Sequence, residues 1–201
     1  MSYKKQLAIT DEYTRQLKRA YVQRIRDTKA STDWDWVAEC IPRGHIAVYN
    51  AIKWFTWYPT PILSKAYAEM YHTFDVKKDA GVLNPEDFML PNPAAESWLL
   101  NYAATEVTGI TDNTKDMIRE VLSDGLKEQL TNQQTADRLK AHLGLTRGQE
   151  KAIENYHNTL VKQGIKETQS DKLTAKYYDE LLSYRAETIA LTESHTATTE
   201  A

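Results

Sequence analysis

Apolar positions recur at helical spacing along most of the chain. Ile9, Tyr13, Leu17, Ala20, Tyr21 and Ile25 predict a first helix over 9–29. Ser31-Thr32-Asp33 offers an N-cap for a short helix through Trp34, Trp36, Val37 and Cys40, which Pro42-Arg43-Gly44 interrupts. A third helix is expected from His45 to Trp57, closed by Pro59 and Pro61, and a fourth over 62–74. Gly81, Pro85, Pro91 and Pro93 then break regularity, so residues 75–93 are expected to be a connection between regions. From there punctuation and pattern agree. Trp98, Leu99, Tyr102 and Ala103 face inward on a helix over 94–108, and Thr111 or Thr114 caps one carrying Met117, Ile118, Val121 and Leu122. Thr131-Asn132-Gln133-Gln134 and Thr146-Arg147-Gly148-Gln149 are capping boxes, each opening a helix that a glycine stops, Gly144 and Gly164 respectively. A polar hinge over 165–170 precedes a long last helix, Asp171 to Glu193.

Wound at about 100° per residue, that last helix has one broad apolar arc. Leu173, Tyr177, Tyr178, Leu181, Leu182, Tyr184, Thr188, Ile189 and Leu191 fall on it, while Lys176, Asp179, Glu180, Ser183 and Glu187 lie opposite. Arg185 and Thr192 project from the middle of the arc. A guanidinium in an apolar stripe is costly unless it is paired and hydrogen-bonded. Arg185 is therefore expected to be buried against a carboxylate or helix-end carbonyls from the 94–130 region, with Asp112, Asp116 and Glu120 as candidate partners.

Composition agrees with an all-α fold, a multi-helix bundle ending in a long C-terminal helix. Seven Gly and six Pro in 201 residues are few, and many Ala, Leu, Lys, Glu and Gln with few Val favour helix over strand. The expected division is an N-terminal helical region over 1–74, the 75–93 linker and a second helical region over 94–201. The most apolar stretch, 46–58, is too short to span a bilayer. A single Cys40 excludes an internal disulfide or a Cys-based zinc site and fits a reducing cytoplasm.

Net charge is −3, but residues 1–30 hold eight Lys/Arg against three Asp/Glu. This basic arm, with Lys4, Lys5, Arg15, Lys18 and Arg19, is a candidate contact for DNA phosphates or an acidic partner. Four of five Trp lie between 34 and 57. Trp34, Trp36, Trp54 and Trp57 are either an aromatic core or a docking surface.

Catalytic patterns are not found. The five His are scattered, without the paired spacing of a metalloprotease helix, and there is no nucleophile elbow, P-loop or dinucleotide glycine pattern. Glu193 and His195 diverge on a helix, and residues 75–81 lack the ligand alternation of a calcium loop. No catalytic residue, cofactor or metal is expected. Residues 133–158 resemble the opening of a helix-turn-helix. The glycine that motif wants is Lys140, however, and the second helix is too acidic for a groove reader.

Three stretches together resemble the phage head-morphogenesis family, the minor head proteins typified by the F protein of phage Mu. They are residues 103–114, the run Leu130-Thr131-x-x-x-Thr135-Ala136 through Gly144-Leu145-Thr146-x-x-Gln149, and Tyr184-Arg185-Ala186-Glu187-x-Ile189-Ala190-x-Thr192-Glu193. In the last, Arg185, Glu187, Ile189, Thr192 and Glu193 carry the likeness, and Leu191 stands where the family has a second arginine. The resemblance covers roughly 95–195. It implies a structural, non-enzymatic protein of the virion, present in several copies, which associates with the portal inside the capsid and supports head assembly and DNA packaging or ejection. It also implies a longer parent chain, of which this would be a truncated or cleaved form. The competing expectation is a sequence-independent DNA-binding protein acting through the basic arm.

Overall fold

Asp33 shows how local chemistry sets the first boundary. Its carboxylate accepts the backbone N–H of Trp36 at 3.1 Å, so the chain leaves one helix and starts another within three residues. The structure is a computed structural model that describes the backbone of residues 3–54, 62 and 112–199, and side chains of 7–54, 62 and 112–194. Its elements are helix α1 (Tyr3–Ser31), α2 (Trp34–Cys40), a 3-10 turn (Ile41–Arg43), α3 (His45–Ala51), α4 (112–127), α5 (Asn132–His142), α6 (Arg147–Lys162) and α7 (Glu167–Thr199). The fold is all-α, a multi-helix bundle, with no strand among the described residues.

Three boundaries differ from expectation. Helix α1 runs from residue 3 to 31 rather than 9 to 29. Helix α3 ends at Ala51 and not near Trp57, because Ile52 turns extended at ψ 127° and is 2% exposed. Helix α7 begins at Glu167, so most of the expected hinge is its first turn. The expected helices over 62–74 and 94–108 and the 75–93 linker lie outside the described residues, apart from helical Ile62.

Both capping boxes form as read. Thr131 Oγ1 accepts from Gln134 N at 3.2 Å, and the Gln134 side chain accepts from Thr131 N at 2.8 Å. Thr146 and Gln149 repeat this at 3.4 and 3.0 Å. Gly144 stops α5 at φ +90° and Gly164 stops α6 at φ +73°. Helix α4 closes with the same 6→1 bond as α6, Leu130 N to Gly125 O at 2.9 Å, but with Gln129 at φ +58° where glycine is usual.

The chain divides into two compact units. One comprises residues 1–21, 57–108 and 186–201, and the other 22–56 and 109–185. In the first, Ile9 and Tyr13 form a small cluster against Ile62. In the second, Trp34, Val37, Val48 and Ile52 share a core with Met117, Ile118, Val121, Ala136, Leu139 and Leu143. Helices from both sides of the expected linker thus bury the same apolar surface.

Candidate functional site

Helix α7 anchors on the loop between α5 and α6. Arg185 is 7% exposed, and its Nη1 donates to the Gly144 carbonyl at 2.8 Å. Tyr178 Oη donates to the Leu143 carbonyl at 2.6 Å, and Gln149 Nε2 donates to the Leu181 carbonyl at 3.1 Å. The carbonyls that Arg185 and Tyr178 satisfy end α5, where a cation also meets the negative end of the helix dipole.

Burial of Arg185 on a helix end follows the sequence expectation, but the helix does not. The end belongs to α5 rather than to the 94–130 region. The three carboxylates proposed for it are taken elsewhere: Asp112 pairs with Lys115, Asp116 with Arg119 and Glu120 with Arg147.

The buried side of α7 also differs from the expected arc. It passes through Ser170, Leu182, Arg185, Ala186, Ala190, Glu193 and Ser194, whereas Tyr184 is 68% and Leu191 46% exposed. Small residues allow close packing, so the hydrophobicity of Tyr and Leu was a poor guide to which side turns inward. Of the other motif residues, Ile189 is half-buried, Thr192 is exposed and donates to the Thr188 carbonyl, and Glu187 is exposed and meets Lys18 at 2.8 Å. Glu193 is buried at 1% exposure, on the inward side of the helix.

The candidate contact residues separate. Lys18 is occupied by Glu187, and exposed Arg15 pairs with Glu12 at 2.7 Å. A hydrogen bond from Gln16, then one from Arg15, holds the Glu12 carboxyl below its ordinary value. Arg19 is exposed. The side chains of Lys4 and Lys5, and all of Trp57, lie outside the described residues. Trp34 is not available for contact: it is buried in the core, with Nε1 donating to the Lys29 carbonyl at 2.9 Å. Trp54 is half-buried and stacks on Tyr49 at 5.1 Å. Trp36 is 43% exposed beside Arg43, 5.3 Å from its ring centroid, with Ile46 of the same unit 52% exposed.

Two charged arrangements escaped the sequence reading. Lys29 sits 3.7 Å over the Tyr178 ring centroid and donates to the Ala141 carbonyl at 3.0 Å. Burial pushes its ammonium from 10.5 down to about 7; Asp179 opposes the shift and Lys140 adds to it.

The second centres on Arg138 of α5, whose side chain is 13% exposed. Its Nη1 meets Glu128 at 2.9 Å, its Nη2 meets Glu154, and its Nε is 3.9 Å from Glu150. His142, one turn on, places Nδ1 at 3.5 Å from Glu150 Oε1. Glu150 is 2% and His142 6% exposed, and Arg138 Nε, His142 Nδ1 and Glu150 Oε1 are buried without a hydrogen bond. The His142–Glu150 separation of eight residues spans two helices and a loop, so no single-helix spacing announces it. Two capping-box boundaries around Gly144 were the available signal. No protein-family model, curated protein or solved structure matches the chain.

Proposed function

We propose that the chain is a minor head protein of the head-morphogenesis type, which binds the portal inside a phage capsid and supports head assembly and DNA packaging or ejection without catalysing a reaction. The observation that carries this reading is the bond from Arg185 to the Gly144 carbonyl. It ties together two of the three stretches on which the resemblance rests, Gly144-Leu145-Thr146-x-x-Gln149 and the Arg185 motif. The Gln149 bond to the Leu181 carbonyl ties the same segments a second time. Residues that carry the likeness therefore have a structural task, which suits a scaffold. Exposed Trp36, backed by Arg43, supplies the aromatic-plus-guanidinium chemistry common at interface anchors.

The DNA-binding reading draws less support. Within the basic arm Lys18 and Arg15 are engaged by carboxylates, and Arg26 lies 3.6 Å from Asp179. In the described part of the chain, no helix is long and apolar enough to cross a membrane.

Co-sedimentation of the purified chain with portal rings of its own phage tests the proposal. Retention at high salt, weakened by Trp36→Ala, is the expected result. Failure to bind portal, together with duplex-DNA binding that falls steeply with salt, would replace this reading with the other.

A further inference from the structure

We propose that His142, Glu150 and Glu154 form a binding site for a divalent transition metal of the zinc class, with Arg138 as the cation that neutralises the site when metal is not bound. Candidate ligand atoms of the three residues all lie within 4.8 Å of one another. Glu150 and Glu154 are one turn apart on the same face of α6, and His142 comes from the last turn of α5 across the Gly144 loop.

The His142–Glu150 distance fits a pair of ligands that share a metal. At 3.5 Å it exceeds the roughly 2.7–3.2 Å of a nitrogen–oxygen hydrogen bond, and neither atom has another hydrogen-bond partner. Two ligands each about 2.0–2.1 Å from a tetrahedral zinc ion stand about 3.3 Å apart. Two buried polar atoms of the cluster thus face each other at nearly the spacing a shared metal would set. Leaving them unbonded is otherwise unfavourable by the cost of desolvation.

Glu154 completes the set at the solvent edge, where its side chain is 29% exposed and gives an ion a route inward. One imidazole with two carboxylates matches zinc, manganese or ferrous iron better than calcium, which wants six to eight oxygens, or copper(I), which wants sulfur. Three protein ligands leave a fourth position for water.

Arg138 currently holds Glu154 and Glu128. Metal binding requires Glu154 to release the guanidinium, which retains Glu128 as its partner. Arginine and metal therefore compete for one carboxylate, and removing the arginine favours the metal.

The test is titration of the chelator-treated full chain with Zn²⁺, followed by calorimetry and thermal melting. Co²⁺ absorption serves as a separate report on coordination. One equivalent is expected to bind and raise Tm. Glu154→Gln, at the half-exposed edge where folding is least at risk, should weaken binding by about tenfold or more, the least expected for loss of a direct ligand. His142→Asn should do the same. Arg138→Gln should lower the metal-free Tm and tighten Zn²⁺ binding, so that zinc restores much of the lost stability. Absence of saturable binding, or equal binding by native chain, Glu154→Gln and His142→Asn, overturns the site. Failure of zinc to stabilise Arg138→Gln, or to bind it more tightly than the native chain, overturns the competition with Arg138.

Discussion

At the scale of single residues, buried Arg185 and half-buried Lys29 matter most, because each is stabilised differently. Arg185 relies on a carbonyl, so its removal costs a charged hydrogen bond and leaves Gly144 O without that donor. Arg185→Met, which keeps much of the packing, is expected to lower stability by about 1.5–3 kcal/mol in a urea melt. A loss under half a kcal/mol would mean the bond is dispensable. Lys29 is held by a ring and a carbonyl yet depressed to about 7 by burial. The unfolded chain keeps its lysine protonated up to about 10.5, so between pH 7 and 10 the unfolded state binds more protons and stability from this group rises with pH. Below pH 7 both states are protonated and the full burial cost remains. The stability advantage of Lys29→Met over the native chain should therefore be greatest below pH 7 and shrink toward pH 10, by more than the ~1.4 kcal/mol of one pKa unit. A constant difference across that range would show that the amine does not titrate there.

At the scale of elements, helix ends separate conformational effects from packing effects. Gly144 and Gly164 both sit at positive φ, but a Cβ on Gly144 would meet Ile25 at 2.8 Å while one on Gly164 meets nothing within 4 Å. Gly164→Ala should cost about 1 kcal/mol, the left-handed backbone alone, and Gly144→Ala distinctly more. Gly148, inside the first turn of α6 with open space around it, should gain about 0.4–1 kcal/mol as alanine. Gln129→Gly should likewise stabilise α4, since glycine takes φ +58° without the Cβ penalty. Thermal melts that rank the three alanine variants otherwise would contradict the assignment of these turns. These ends also show what sequence makes visible. Thr131/Gln134 and Thr146/Gln149 were legible because a capping box is local, with both partners within four residues. The buried side of α7 was not, because it depends on which neighbour Ala186 and Ala190 can approach. Nor was the meeting of His142 with Glu150, which requires the path of a loop. Gln129 in a left-handed conformation gave no signal, since local pattern assigns that position to glycine or asparagine.

At the scale of the molecule, the deciding feature is the core shared by residues 22–54 and 112–143. Helices α2 and α3 are seven residues each, far below the length at which a helix holds in water by itself. They persist because Trp34, Val37 and Val48 are buried with Met117, Leu139 and Leu143. The dependence is mutual: without α2 and α3, the apolar faces of α4 and α5 would be open to solvent. Single truncations should already be expensive, with Leu139→Ala costing about 2–5 kcal/mol, a large part of the stability of a domain this size. A fragment spanning 109–185 should therefore show residual helix by circular dichroism but no cooperative melt. Its amide spectrum should be poorly dispersed, although its capping boxes are intact. Adding a peptide of residues 22–56 should restore both the transition and the dispersion, because the missing partner is apolar surface rather than a covalent link. A sharp, reversible transition in the 109–185 fragment alone would show that the later helices hold a core of their own, and that α2 and α3 only dock on it.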